Sequence, residues 1–216
     1  MEALAFVLVS GGIFTAVLIR RIWPSHASRT RRVLRSVRVT PIANLAEERL
    51  ACIVGNVEVE APLLTAPLSR RPCVAYDTST WFSTENGVLA QVVNERQLVS
   101  FFVVDATGRA RVDAPSAALC NRPVVRPRDT VELGIRSAFF ARSASFDARA
   151  RMRPDGRFEE RVIEPGMTIR IAGSINLEPG AALDAVHSER LYRDANPVRA
   201  TITGSSQFPL LVDVIE

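Results

Sequence analysis

The chain has 216 residues, 47% hydrophobic and 23% charged, enough apolar material for one buried core and too much for a disordered polymer. Its formal net charge is +4, yet all 27 basic residues are arginine, and seven of them (Arg20, Arg21, Arg29, Arg31, Arg32, Arg35 and Arg38) crowd between residues 20 and 38. Over residues 39–216 the other 20 arginines face 22 acids, a net of −2, so the basic character is local and does not describe a protein seeking nucleic acid.

The N-terminus opens with 17 uncharged residues, Ala3 to Ile19. As a helix this run spans ~25 Å, near the lower limit for crossing a bilayer. Ala3, Leu4, Phe6, Leu8, Ile13, Phe14, Leu18 and Ile19 supply its apolar surface, and Trp23 is suited to the headgroup level. A cleaved signal peptide is the rival reading. It calls for positive charge ahead of the apolar run, whereas this chain has Glu2 ahead and Arg20-Arg21 behind. The expectation is a single transmembrane helix over 1–24, followed by an arginine-rich juxtamembrane linker over 25–40 that lies on anionic headgroups. The positive-inside tendency then puts everything after it in the cytoplasm, at the inner membrane of a cell. The spacings Gly11/Thr15 and Gly12/Ala16 would allow homo-oligomers through the helix.

Residues 41–216 carry the periodicity of strands. Ala51–Glu60 passes from an apolar stretch into alternation, Cys73–Phe82 is rich in β-branched and aromatic residues, and Leu98–Val104 has the pattern of one buried strand. Asp105-Ala106-Thr107-Gly108 forms a turn into Arg109–Asp113. Pro154-Asp155-Gly156 marks a hairpin between Ala148–Arg153 and Arg157–Ile163, and Glu164-Pro165-Gly166 leads into Met167–Gly173. A last strand covers Phe208–Ile215. Short helices fit Pro41–Leu50 and Asp184–Arg193, and Thr130–Phe146 suits either state. The expected domain is therefore mainly β, a β-barrel or sandwich with one or two short helices, preceded by the transmembrane helix.

Few residues here can carry chemistry. Cys52, Cys73 and Cys120 form no CxxC pair, and the chain has two histidines in all. His187-Ser188-Glu189 are neighbours in sequence, an arrangement that rarely makes a triad. Glu159-Glu160 is expected to face Arg151 and Arg153 across the hairpin. No catalytic residue, metal site or cofactor is expected, and the partners are the lipid bilayer and a protein of unknown identity.

Four blocks occur in a fixed order: Pro67-Leu68-Ser69 before Cys73-Val74-Ala75-Tyr76, then Asp105 to Gly108, then Glu160 to Pro165-Gly166, and finally Pro209-Leu210-Leu211-Val212. Together they resemble the GIDE, or BAM (beside-a-membrane), domain of the MULAN/MAPL ubiquitin ligases and their prokaryotic relatives, over roughly residues 44–215. The resemblance implies a β-rich domain beside a membrane, acting as a stress- or defence-linked sensor or binding module. The ligases add a second transmembrane helix and a zinc-binding RING domain. This sequence has no match to either, so ligase activity is not implied. An enzyme or enzyme subunit of transferase or hydrolase type is the alternative. Convergence of Cys73, Asp105 and Glu160 in one open cleft would favour it.

Overall fold

The computed structural model describes residues 26–47, 49–83, 89–114, 117–142, 156–177, 198–204 and 210–215. The expected transmembrane helix, the helix over Asp184–Arg193, the strand Ala148–Arg153 and the His187-Ser188-Glu189 triplet lie outside these residues. Among the described residues no helix is long and apolar enough to cross a membrane.

Five strands close into a barrel: β1 (Leu50–Val59), β6 (Phe101–Asp105), β7 (Gly108–Val112), β10 (Thr168–Leu177) and β11 (Val198–Thr203). The ring runs β1-β6-β7-β11-β10 and back to β1. Its pairings are antiparallel except β7 with β11. Numbered along the chain, the strands follow the order 1-2-3-5-4, that of an OB-type Greek-key barrel. β12 (Leu210–Val214) continues from β10, and β8 (Ala117–Leu119) lies beyond it.

Period-two alternation fills the barrel. Ile53, Val57, Phe101, Val103, Ala110, Val112, Ile169, Ile171, Ile175, Ile202 and Val212 meet in one buried cluster. Closure of so narrow a ring needs close backbone approach, and two glycines provide it. β1 exchanges β10 for β6 at Asn56, beside Gly55, where an added Cβ would stand 2.5 Å from the Val104 carbonyl oxygen. β10 exchanges β12 for β11 at Gly173, where a Cβ would stand 2.6 Å from the Thr203 carbonyl oxygen.

A second layer is inserted between barrel strands. β2 (Leu64–Thr65) pairs with β3 (Pro72–Cys73), and β4 (Ala75–Ser83) is flanked by β5 (Leu89–Leu98) and β9 (Arg157–Ile163). Helix α2 (Leu133–Ala141) covers this sheet. Its Phe139 and Phe140 pack with Phe82 and Phe158 in tilted and edge contacts, ring centroids 5.6 to 6.5 Å apart. Thr130–Phe146, ambiguous in sequence, is thus helical over its aromatic part.

Three expectations need correction. Leu98–Val104 is not one strand: β5 ends at Leu98, the Val99 N–H donates to the Val74 carbonyl, and β6 starts at Phe101 as the chain passes from sheet to barrel. The helix expected over Pro41–Leu50 reduces to a 3-10 turn, Ile42–Asn44, because Ile42 is drawn into the core and Leu50 already belongs to β1. The segment 25–40 contains helix α1 (His26–Ser36), seated on the barrel by Leu34, which is fully buried.

Candidate functional site

The outer face of β10 and β12 carries α1. On β12, Leu210 and Val212 point into the barrel, so Asp213 belongs to the outer side, yet it is only 1% exposed. Its cover is α1. Residues 31, 34 and 35 share one helical face. Arg31 Nε and Arg35 Nε donate to Asp213 Oδ2 at 2.9 and 3.1 Å, with Leu34 buried between them. Arg170, the β10 partner of Asp213, donates from Nη1 to the carbonyl oxygens of Arg35 at 2.8 Å and Leu34 at 3.4 Å. A cation at a helix C-terminus satisfies orphan carbonyls and complements the helix dipole. The arginine segment is thus divided. Arg31 and Arg35 are engaged by the barrel, whereas Arg32 and Arg38 are exposed. Arg29 falls in the same helix, and Arg20, Arg21 and the membrane-anchor residues lie outside the described part.

The first motif blocks, Pro67 to Ser69 and Cys73 to Tyr76, lie near Glu160. This carboxylate is fully buried on β9. Oε1 accepts the Leu68 N–H at 2.7 Å and the Thr78 hydroxyl at 3.1 Å, and Oε2 accepts the Ser69 N–H at 2.7 Å. The turn it holds begins at Ala66-Pro67 and reaches Arg70, whose φ of 61° is left-handed. Arg151 and Arg153, the arginines expected to face Glu159 and Glu160 across the hairpin, lie outside the described residues; within them, Glu160 is held by the two turn amides and the Thr78 hydroxyl. Glu159 forms an ion pair with Arg161, its neighbour but one.

Cys73 and Tyr76 pack with Ala66 and Val162 in a small apolar cluster beside that turn. Burial, then the nearby Glu160 charge, pushes the Cys73 thiol up to about 11, far from a reactive thiolate. Burial also raises the Tyr76 phenol, as does the hydrogen bond it donates to Glu95 at 2.5 Å.

Asp105 does separate work at the barrel end. Its Oδ1 accepts the Thr107 N–H and hydroxyl and the Gly108 N–H, and its Oδ2 accepts the Ile42 N–H at 2.9 Å. Burial alone would raise its pKa; these donors outweigh burial and hold it below the usual value. Pro165 and Gly166 form the turn into β10, with Gly166 at φ 78° as a type II turn requires. Cys73 and Glu160 thus sit buried in one place and Asp105 in another, each with a core or turn role, and they do not meet in an open cleft.

Sequence reasoning missed a polar seam between sheet and barrel. Asp77, 4% exposed, pairs with Arg96 at 3.0 Å and lies opposite Arg161 in register. Arg161 Nε donates to the Asn121 carbonyl at 3.0 Å, and Asn121 Nδ2 donates to the Val162 carbonyl at 3.0 Å. Next to it, burial and then the Asp213 charge push the Cys120 thiol up to about 11. The one available signal was an acid inside an apolar run, Asp213 within Leu210–Ile215. Among the described residues no group of three or more His, Cys, Asp or Glu could hold a metal ion. No family model, no curated protein and no solved structure matches this chain.

Proposed function

We propose that the chain is a single-pass membrane protein whose GIDE/BAM-like β-rich domain is carried beside the bilayer on helix α1 and binds a protein partner on the cytoplasmic side. The observation that carries this reading is the seating of α1. The arginine segment that follows the hydrophobic run is bound to the barrel through Arg31, Arg35 and Asp213. A domain fixed at that point would be held close to the surface the run enters, with Arg32 and Arg38 left for anionic headgroups. The motif blocks support the family part: Pro67-Leu68-Ser69 and Glu160, far apart in sequence, form one hydrogen-bonded unit.

Fractionation tests the anchor. The full chain is expected in the membrane pellet after washes with high salt and with alkaline carbonate, and in solution only after detergent. Release by salt alone would show a peripheral, purely electrostatic attachment. Protease protection of the domain in right-side-out vesicles is expected if it is cytoplasmic; digestion there would reverse the orientation. Crosslinking from the domain in intact cells should then yield a defined protein adduct, and its absence across the barrel surface would remove the binding role.

A further inference from the structure

Alternation along the strands sorts the side chains of the α1 face. On β1, Ala51 and Ile53 turn to the core, so Leu50 and Cys52 turn out. On β12, Val212 and Val214 turn to the core, so Asp213 and Ile215 turn out. Val39 pairs with Cys52 in parallel register and therefore shares its outward side. β10 lies between β1 and β12, and its outward Arg170 reaches the carbonyl oxygens of α1, which marks this as the side the helix covers. Val39, Leu50 and Ile215 are exposed there, as is Val37, the first residue beyond α1. They are four of the seven large hydrophobic side chains exposed among the described residues, and Leu50 is 58% exposed. The same face is almost free of acids. Over Leu50–Asn56, Thr168–Ser174 and Leu211–Ile215 the sole acid is Asp213, which α1 covers. Arg32, Arg35 and Arg38 are exposed alongside.

We infer that this face, α1 together with Val37, Val39, Leu50 and Ile215, is the surface that the domain lays against an anionic bilayer. The inference rests on the membrane-anchored reading above and names the part of the domain that meets lipid. Ile19, the end of the hydrophobic run, and His26, the start of α1, are seven residues apart. Fully extended, that length of chain reaches ~25 Å, so α1 stands close to where the run leaves the membrane. Apolar side chains set among arginines, with no exposed acid, suit the boundary of headgroups and acyl chains. Guanidinium groups meet the phosphates there, while the aliphatic groups enter by ~5–10 Å. The short tether favours lipid over a protein as the occupant, since it holds this face beside the bilayer before any partner arrives.

The test uses the full chain reconstituted in vesicles of phosphatidylcholine and phosphatidylglycerol, with a fluorophore on one exposed site at a time. Leu50→Cys and Ile215→Cys report on the face, and Leu133→Cys on α2 is the control. Cys52, Cys73 and Cys120 are buried, so labelling goes to the introduced thiol. Lipid brominated near the headgroup end of its acyl chains is expected to quench the labels at 50 and 215 and to leave the label at 133 bright. A smaller loss of emission is expected in phosphatidylcholine alone, where the arginines meet no net negative charge. Flotation with the vesicles after an alkaline carbonate wash separates the two readings. A chain that does not float overturns the anchor and this contact with it. A chain that floats with the labels at 50 and 215 unquenched overturns the contact alone. Equal quenching at 133 does the same, because the domain then has no preferred face. So does shielding of position 50 from aqueous iodide without quenching by lipid, which would assign the face to a second copy or a protein partner.

Discussion

Arg170 and Asp213 are cross-strand partners on β10 and β12, and they hold opposite features of the same helix. Asp213 takes the side chains of Arg31 and Arg35, while Arg170 takes the carbonyl oxygens at the end of α1. One pair of adjacent residues therefore recognises both the charge of the helix and its polarity. Asp213→Asn should loosen α1 without disturbing the barrel, whose core it does not enter. Arg35 is 53% exposed, so solvent screens its share, and the loss is put at about 1–1.5 kcal/mol. That corresponds to trypsin cleavage after Arg31 and Arg35 about tenfold faster than in the parent. Unchanged cleavage would mean that Leu34 alone seats the helix.

Glu160 gives a sharper prediction, because both of its oxygens accept backbone amides. Leu68 and Ser69 present two N–H donors to its two oxygens. In Glu160→Gln one oxygen becomes an NH2 group, which sets donor against donor in a buried site. A loss of about 2–3 kcal/mol is expected in urea unfolding. The phenylalanine cluster around Phe140 borders the same turn through Leu68, so the near-ultraviolet spectrum should change too. A neutral Glu160→Gln would show that the turn holds itself.

Asp105 makes stability depend on pH in a defined direction. Its pKa is lowered in the folded state by the Thr107, Ile42 and Gly108 donors, which outweigh burial. A depressed carboxyl contributes stability above its unfolded value of about 3.9, and that contribution is lost as pH falls through the folded value. Comparison with Asp105→Asn isolates it. The parent should be the more stable at neutral pH, with the gap in urea midpoint closing steadily below about pH 4. A gap independent of pH would assign the effect to shape rather than charge.

Local pattern made the strands legible, while long-range pairing hid the rest. The alternation of Thr168–Leu177 and the turns at Asp105–Gly108 and Glu164–Gly166 are visible in sequence because side-chain period and turn chemistry are local. β11, Val198–Thr203, shows only a short alternation in sequence and becomes a strand by pairing with β7 and β10. The burial of Glu160 is hidden for a similar reason: its amide partner on Leu68 lies in a turn 92 residues earlier.

The glycines of the barrel supply the last prediction, with a control in the same chain. Gly55→Ala would place a Cβ 2.5 Å from the Val104 carbonyl oxygen and 2.7 Å from Val103 Cγ1, where β1 passes from β10 to β6. Backbone cannot yield as a flexible side chain would, so overpacking should cost about 1–3 kcal/mol. Gly134 lies in the first turn of α2, and a Cβ there meets nothing closer than Glu132 Oε1 at 3.8 Å. Gly134→Ala should stabilise the protein by up to about 1 kcal/mol, through helix propensity alone. Urea unfolding of both variants gives the comparison. Equal effects of the same sign would show that the strand exchange at Gly55 has slack, and that barrel closure does not depend on contact of backbone with backbone there.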